Sequence, residues 1–194
     1  MTKIAYASKV TALTNTLPEI NKVTSDNMNE VKASVNALYD DVGWVKYTDS
    51  VNTVSNKQTL TASQENIITI VDASPIISQK PVSIGDHELF LLNKIRPFSS
   101  GDGYIIRIDF EASINNANGY FDAKIDVGGD IGFILKRAEV FPKGSNITQP
   151  FSTTDYIYVL DTFILNGGTI LINPSHTMLI WNKAISIHRI YGAR

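Results

Sequence analysis

The side chains that could hold a metal ion or act as nucleophiles are few in this sequence and widely separated. The chain has three histidines and no cysteine, so thiolate chemistry and cysteine-based zinc sites are excluded. The motifs of serine hydrolases, zinc peptidases, P-loop NTPases and dinucleotide-binding enzymes are missing. His87, His176 and His188 have no partner at metal-ligand spacing. The sequence therefore predicts no metal and no cofactor, and His188 is interpreted as a strand residue, although a threefold axis could gather three copies around an ion.

Carboxylates could still form the pair that cleaves a glycosidic bond, because such a pair is defined by distance in space. The candidates, on the polar faces of two predicted neighbouring strands, are Asp109, Glu111, Asp122 and Asp126. The nearby Arg107 and Lys124 indicate cross-strand ion pairs on solvated faces instead. We therefore predict a protein that is not an enzyme, and a polysaccharide-degrading tail-spike enzyme is the less favoured alternative.

The two tryptophans could stack on the apolar face of a sugar ring. Trp181 lies in a late strand pattern and is interpreted as a core or interface residue. Trp44 directly follows Gly43 and is predicted to pack where the helix meets the β-domain. The ligand-binding residues are therefore left unknown by the sequence.

Charge and hydropathy argue against nucleic acid and membranes as partners. The chain has 17 basic and 19 acidic residues among 194, with a formal net charge of −2, so no basic surplus is present to neutralise nucleic acid. No apolar run is long enough for membrane insertion, and the N-terminus lacks the apolar core of a signal peptide. We expect the protein to accumulate in a cytoplasm.

The chain before residue 48 carries a helix with a narrow apolar seam. Thr24 is a suitable N-cap and Gly43 is predicted to end the helix in a left-handed conformation. The apolar positions between them alternate spacings of three and four, as in a coiled coil. These predicted oligomerisation residues, called the helix seam below, are Met28, Val31, Val35, Leu38 and Val42. The alternative is a helix that packs on its own β-domain, and the seam alone does not decide between a dimer and a trimer.

The remaining chain alternates apolar and polar residues with period two, which predicts β-strands. The clearest strands are 104–113 and 120–127, joined by an Asn- and Gly-rich hairpin loop. Further strands are predicted at 67–71, 88–92, 131–138, 156–165, 169–172, 178–182 and 185–191. The fold class is mainly β, a jelly-roll β-sandwich head after a short N-terminal helical coiled-coil stalk. Residues 156–160 are apolar on both faces, which predicts cover from a neighbouring subunit or from a loop of the same chain.

Composition divides the chain into a docking segment at 1–23, a stalk at 24–47, a polar linker at 48–62 and the head at 63–194. The first segment has too little apolar area to fold alone and is predicted to order on a partner. Its predicted docking residues are Ile4, Tyr6, Val10, Leu13, Leu17 and Ile20. The alternative is a frayed terminus without function.

Residues 21–32, NKVTSDNMNEVK, and the following 35–40, VNALYD, look like the helical lead of tailed-bacteriophage appendage proteins. The β-rich part resembles the trimeric jelly-roll tips of phage fibres, which are similar in shape to tumour-necrosis-factor and C1q heads. The resemblance implies a homotrimeric virion protein, a head or tail fibre assembled in the host bacterial cytoplasm. It implies capsid or tail proteins as partners of the N-terminus, and attachment to a host surface glycan or to another fibre protein. The alternative is a soluble carbohydrate-binding module.

Overall fold

The computed structural model describes residues 25–72, 74–142 and 146–192, which form one long helix followed by two antiparallel sheets. Helix α1 spans Ser25–Asp41, and a second, short helix, α2, spans Asp161–Asn166. The strands are β1 (Gly43–Thr48), β2 (Gln58–Leu60), β3 (Asn66–Ile67), β4 (Phe90–Leu91), β5 (Lys94–Ile95), β6 (Gly103–Ile114), β7 (Tyr120–Asp126), β8 (Phe133–Val140), β9 (Gln149–Tyr158), β10 (Gly168–Pro174) and β11 (Met178–Tyr191).

The first sheet has the order β1-β11-β6-β9, with β2 also paired to β11. The second has the order β4-β5-β10-β7-β8, with β3 also paired to β10. The core lies between the sheets because alternate residues of each strand point inwards, such as Ile106 and Ile108 from β6 and Ile170 and Ile172 from β10. Four phenylalanines close the core towards β9; the Phe121 and Phe151 rings are edge to face at 4.9 Å between centroids.

Strands β6 and β7 lie in different sheets, although the sequence predicted a hairpin between neighbours. β6 pairs with β11 and β9, whereas β7 pairs with β10 and β8. The loop between them therefore carries the chain from one sheet to the other. Period-two alternation is the same in both arrangements, since it fixes which face is buried and not which strand is adjacent.

Several predicted boundaries differ from the structure. The predicted strand at 156–165 ends with β9 and continues as α2, and the two predicted strands at 178–182 and 185–191 are one strand with a bulge. The first sheet also includes β1 and β2, from residues assigned to the stalk and the linker. Period-two alternation is present in β1, where Val45 and Tyr47 are buried, but six residues were too short to outweigh the polar stretch that follows.

The end of the helix also differs from the prediction. α1 ends at Asp41, and Gly43 does not have the positive φ of a left-handed helix end. A side chain at Gly43 would collide with the carbonyl of Gln79 and with Pro81. Gly43 is therefore needed for the close approach of a neighbouring segment, which donates and accepts hydrogen bonds along the edge of β1, as from Trp44 N to Gln79 O at 2.8 Å.

Candidate functional site

The helix seam is uncovered in the single chain. Met28, Val31, Leu38 and Val42 are exposed, with 59% of Leu38 accessible, and Val35 is half-buried. Helix α1 touches the head through the 3₁₀ turn Val82–Ile84 and the last strand β11. The structure thus brings the predicted oligomerisation residues together on one exposed stripe, while the coiled coil itself stays a prediction.

A second uncovered apolar surface lies on the outer face of the first sheet. Register places one side chain from each strand in a row across it, in the order Trp44, His188, Ile105 and Tyr156. The Trp44 and His188 rings are stacked, with centroids 5.9 Å apart. Because the inner face of these strands is buried in the core, the row must face either solvent or another molecule.

Two more aromatic rings continue this row towards the helix. Tyr191 and Tyr158 flank Gly103 in register, and both are exposed by 57%. A Cβ atom at Gly103 would lie 3.0 Å from the Tyr156 hydroxyl and 3.4 Å from Tyr191 Cβ, so glycine lets the rings close over the strand. The surface made by Trp44, Ile105, Tyr156, Tyr158, His188 and Tyr191 is called the aromatic face below.

The other half of the same sheet face is covered by the chain itself. Trp181 is buried because the loop after β1 folds over it, with Lys57 Nζ 3.9 Å from the centre of the Trp181 ring. The indole Nε1 donates to Glu111 Oε2 at 2.7 Å. Trp181 is therefore a packed residue, whereas Trp44 is half-buried at the edge of the aromatic face, next to the helix as predicted.

A buried charge cluster fixes the helix to this end of the sheet. Arg189 Nε and Nη2 donate to the two carboxylate oxygens of Asp102 at 3.0 and 2.8 Å. Arg189 Nη1 donates to Ser83 Oγ at 2.8 Å and to the Asp41 carbonyl at the end of α1 at 3.4 Å. Burial raises the pKa of Tyr104 far above its ordinary value, so its hydroxyl stays protonated and donates to Asp102 at 2.9 Å.

The candidate carboxylates of the sequence analysis are divided between the two sheets. Asp109 and Glu111 lie on β6, where Asp109 accepts from Arg107 at 2.9 Å, while Asp122 and Asp126 lie on β7. The predicted cross-strand pairs are wrong in detail, because Arg107 and Asp109 are on one strand and Lys124 pairs with Glu65 at 2.8 Å. These four acids therefore do not form one cluster.

The histidines lie within the described part of the chain, whereas the predicted docking residues do not. Over residues 25–72, 74–142 and 146–192, no three His, Asp or Glu side chains are grouped to bind a metal. Burial lowers the pKa of His188, which favours its neutral form. The predicted docking residues Ile4, Tyr6, Val10, Leu13, Leu17 and Ile20 lie outside the described residues.

Small clefts lie around α2. A polar cleft of about 420 Å³ is lined by residues that include Lys94, Asp126 and Asn166, and an apolar one of about 540 Å³ by residues that include Phe98 and Leu165. Sequence reasoning missed both, since α2 was predicted as strand. Among the described residues, no helix is long and apolar enough to cross a membrane.

Comparison with known proteins gives a fold and no family. No family model and no curated protein matches the chain. The structure of Eiger TNF from S. frugiperda is similar, with a TM-score of 0.51 and 8% identity over 79% of this chain and 96% of that one. Two further structures are more distant. The PRD1 vertex protein P5 has a TM-score of 0.41 and 12% identity over 78% of this chain and 73% of that one. A CBM4 structure has a TM-score of 0.31 and 14% identity over 76% of this chain and 89% of that one. At these identities the likeness to the TNF concerns the fold alone, and the β-rich part of this chain is a jelly roll.

Proposed function

We propose that the protein is a structural protein of a bacteriophage virion, a homotrimeric head or tail fibre that decorates the particle. The observation that carries the proposal is the aromatic face, where Tyr156, Tyr158 and Tyr191 are exposed on the outer side of the sheet whose edge strand β1 follows the helix seam. Contiguous apolar surface of this kind on a soluble domain marks an interaction site. The occupant we propose is the same surface of two further copies.

The geometry favours copies of this chain over a single partner molecule. Val42, the last seam residue, directly precedes β1, whose second residue is Trp44. One association can therefore bury the seam in a helical bundle and the aromatic face between heads. An unrelated partner would have to match both surfaces, while a symmetric arrangement presents the same two stripes from each copy.

The virion assignment rests on the resemblance of residues 21–40 to helical leads of phage appendage proteins. In this proposal the N-terminal segment binds a capsid or tail protein and the head points outwards, where it contacts a host surface glycan or another fibre protein. The end of the head opposite α1 is formed by polar loops, including Asn115, Asn116 and Asn118, which suits an outward surface. We propose no enzymatic activity towards another molecule.

Light scattering coupled to size-exclusion chromatography tests the assembly. We expect a mass near three times that of the 21.4 kDa chain. Replacing Leu38 or Tyr156 by Asp should shift the protein towards monomer, because like charges would meet in a buried interface. Leu92→Asp is the matched control, since Leu92 is 85% exposed in the turn between β4 and β5 of the second sheet and belongs to neither surface. A monomeric wild-type protein at micromolar concentration would contradict the proposal.

The second candidate is a soluble carbohydrate-binding module, favoured by one observation. The aromatic face presents rings on a sheet surface, and an exposed ring can stack on a pyranose. A glycan array separates the two candidates. A monomer that binds glycans, and loses binding with Tyr156→Ala or Tyr158→Ala, supports the module. A trimer whose glycan binding, if any, is unaffected by these changes supports the fibre, with the aromatic face buried between copies.

A further inference from the structure

Lys183 is a buried lysine that neither the association surfaces nor the sequence analysis uses. The register of β11 against β6 shifts between Trp181 and Ala184, and Asn182 has a φ of 50°. This bulge turns Lys183 into the protein, where its side chain is 1% exposed. Its Nζ lies among oxygen atoms of Asp49, Asn52, Gln58 and Thr69.

Backbone hydrogen bonds hold Lys183, Asp49 and Asn52 together independently of their side chains. Asp49 N donates to the Lys183 carbonyl at 2.8 Å, and Asn182 N donates to the Asn52 carbonyl at 3.0 Å. Lys183 Nζ is then 2.9 Å from Asp49 Oδ2 and 2.8 Å from Asn52 Oδ1. Since the carboxamide carbon Cγ is one bond beyond Oδ1, Nζ lies about 3–4 Å from it, which is close to the distance of a reacting pair.

We propose that Lys183 and Asn52 form an intramolecular isopeptide bond, with Asp49 as the proton-transfer group. The Asp49 carboxylate takes a proton from the Lys183 ammonium, and the neutral Nζ attacks Cγ of Asn52. The Nζ–Cγ bond forms and the Cγ–Nδ2 bond breaks. Nδ2 leaves as ammonium, taking one proton from the acid and one that Nζ gives up, so Asp49 ends as a carboxylate. The reaction needs no oxidant and no co-reactant.

The surroundings favour the neutral amine that the reaction requires. Burial lowers the pKa of Lys183, against the smaller opposing effect of the Asp49 carboxylate. The Asp49 side chain is 0% exposed, so a charged pair gains no hydration there. Asp49 Oδ1 accepts from Val51 N and Val71 N, whereas Oδ2 lies 2.9 Å from Nζ and accepts no other hydrogen bond from the described part of the chain. Oδ2 is thus available to take and return the proton.

Gln58 offers a second carboxamide, with Oε1 2.6 Å from Nζ, but its amide is held on both sides. Its Nε2 donates to the Ile67 carbonyl at 2.9 Å, and Oε1 also accepts from Thr69 Oγ1 at 3.3 Å. Asn52 Nδ2 makes only a long contact of 3.4 Å to the Asn56 carbonyl, and Asn52 is half-buried in a loop whose residues 53–56 are exposed. The leaving nitrogen of Asn52 is therefore the freer one, and Gln58 and Thr69 position the amine.

Such a bond would join the loop after β1 to the last strand across 131 residues. A cross-link that closes a long loop constrains the unfolded chain, which is the reasoning also applied to disulfides. The sequence contains no cysteine, so this chain cannot form a disulfide. An amide between two side chains would give it a covalent cross-link.

Denaturing intact-mass spectrometry of the purified full chain tests the proposal. We expect the wild-type mass to be lower than the sequence mass by one ammonia, and tryptic digestion to yield peptide 47–57 joined through Asn52 to the peptide that contains Lys183. The joined peptide distinguishes the bond from a succinimide at an asparagine, which also loses ammonia but joins nothing. An unreduced wild-type mass overturns the proposal and leaves Lys183 as a buried ammonium. A joined peptide through Gln58 overturns the assignment to Asn52.

Variants test the role of each group. The full sequence mass is expected for three variants: Asn52→Ala, Lys183→Arg and Asp49→Asn. Asp49→Asn keeps both residues that would be joined, so it tests the proton-transfer group alone. Lys57→Arg is the matched control, because Lys57 is a half-buried lysine whose Nζ lies over the Trp181 ring, and it should lose ammonia as the wild type does. Circular dichroism identifies any variant that fails to fold. A folded Asp49→Asn protein that still forms the cross-link would refute the role of Asp49.

Discussion

Asp102→Asn should destabilise the head strongly, because Asp102 is the counter-charge of a fully buried guanidinium. The Asp102 and Arg189 side chains are 0% and 2% exposed, and two hydrogen bonds join them. Asparagine keeps the shape but removes the charge and turns one acceptor into a donor. After this change, the Asp41 carboxylate, 3.7 Å from Arg189 Nη1, is the acid that remains beside the guanidinium. Leaving one charge of a buried pair uncompensated costs about 3–5 kcal/mol, so we expect a loss of that size in the free energy of unfolding.

Urea unfolding followed by tryptophan fluorescence measures this loss, with all proteins at one concentration because association adds to stability. Asp109→Asn is the matched control: the same substitution, in a pair with Arg107 whose side chains are 54% and 26% exposed. Exposed pairs contribute about 0–1 kcal/mol. Equal losses for the two variants would refute the claim that burial of the Asp102–Arg189 pair determines its contribution.

Three further outcomes are expected. Trp181→Phe should reduce stability by about 1–3 kcal/mol in urea unfolding, since Glu111 loses the buried indole donor. Deleting residues 1–20 should leave the head folded and trimeric while abolishing incorporation into particles, and normal copy number on purified virions would contradict the docking assignment. His188 has a lowered pKa in the folded state, so the unfolded chain binds more protons just below pH 6.5; stability should therefore rise with pH through that window, and less so in His188→Gln.

The sequence predicted those features that depend on one strand or one helix at a time. Alternation in β6 identified the buried set that includes Ile106, Ile108 and Phe110, and the structure places these residues in the core. Alternation could not predict which strands pair, since β6 and β7 would show the same alternation whether they lie in one sheet or in two facing sheets. Lys183 was also beyond reach, because only the bulge at Asn182 turns its side chain inwards.

The two buried basic residues of β11, Arg189 and Lys183, have a joint consequence for strand β1. Arg189 bonds to the Asp41 carbonyl just before β1, and Lys183 contacts Asp49 just after it. The edge strand that connects the helix to the head is thus held at both ends by the last strand, in addition to its six paired positions. A pull on the helix would otherwise peel an edge strand one hydrogen bond at a time. With both ends held by residues of β11, detachment of α1 requires the Asp102–Arg189 cluster to open first. The attachment of the helix to the head is therefore a property of the single chain and precedes any association of copies.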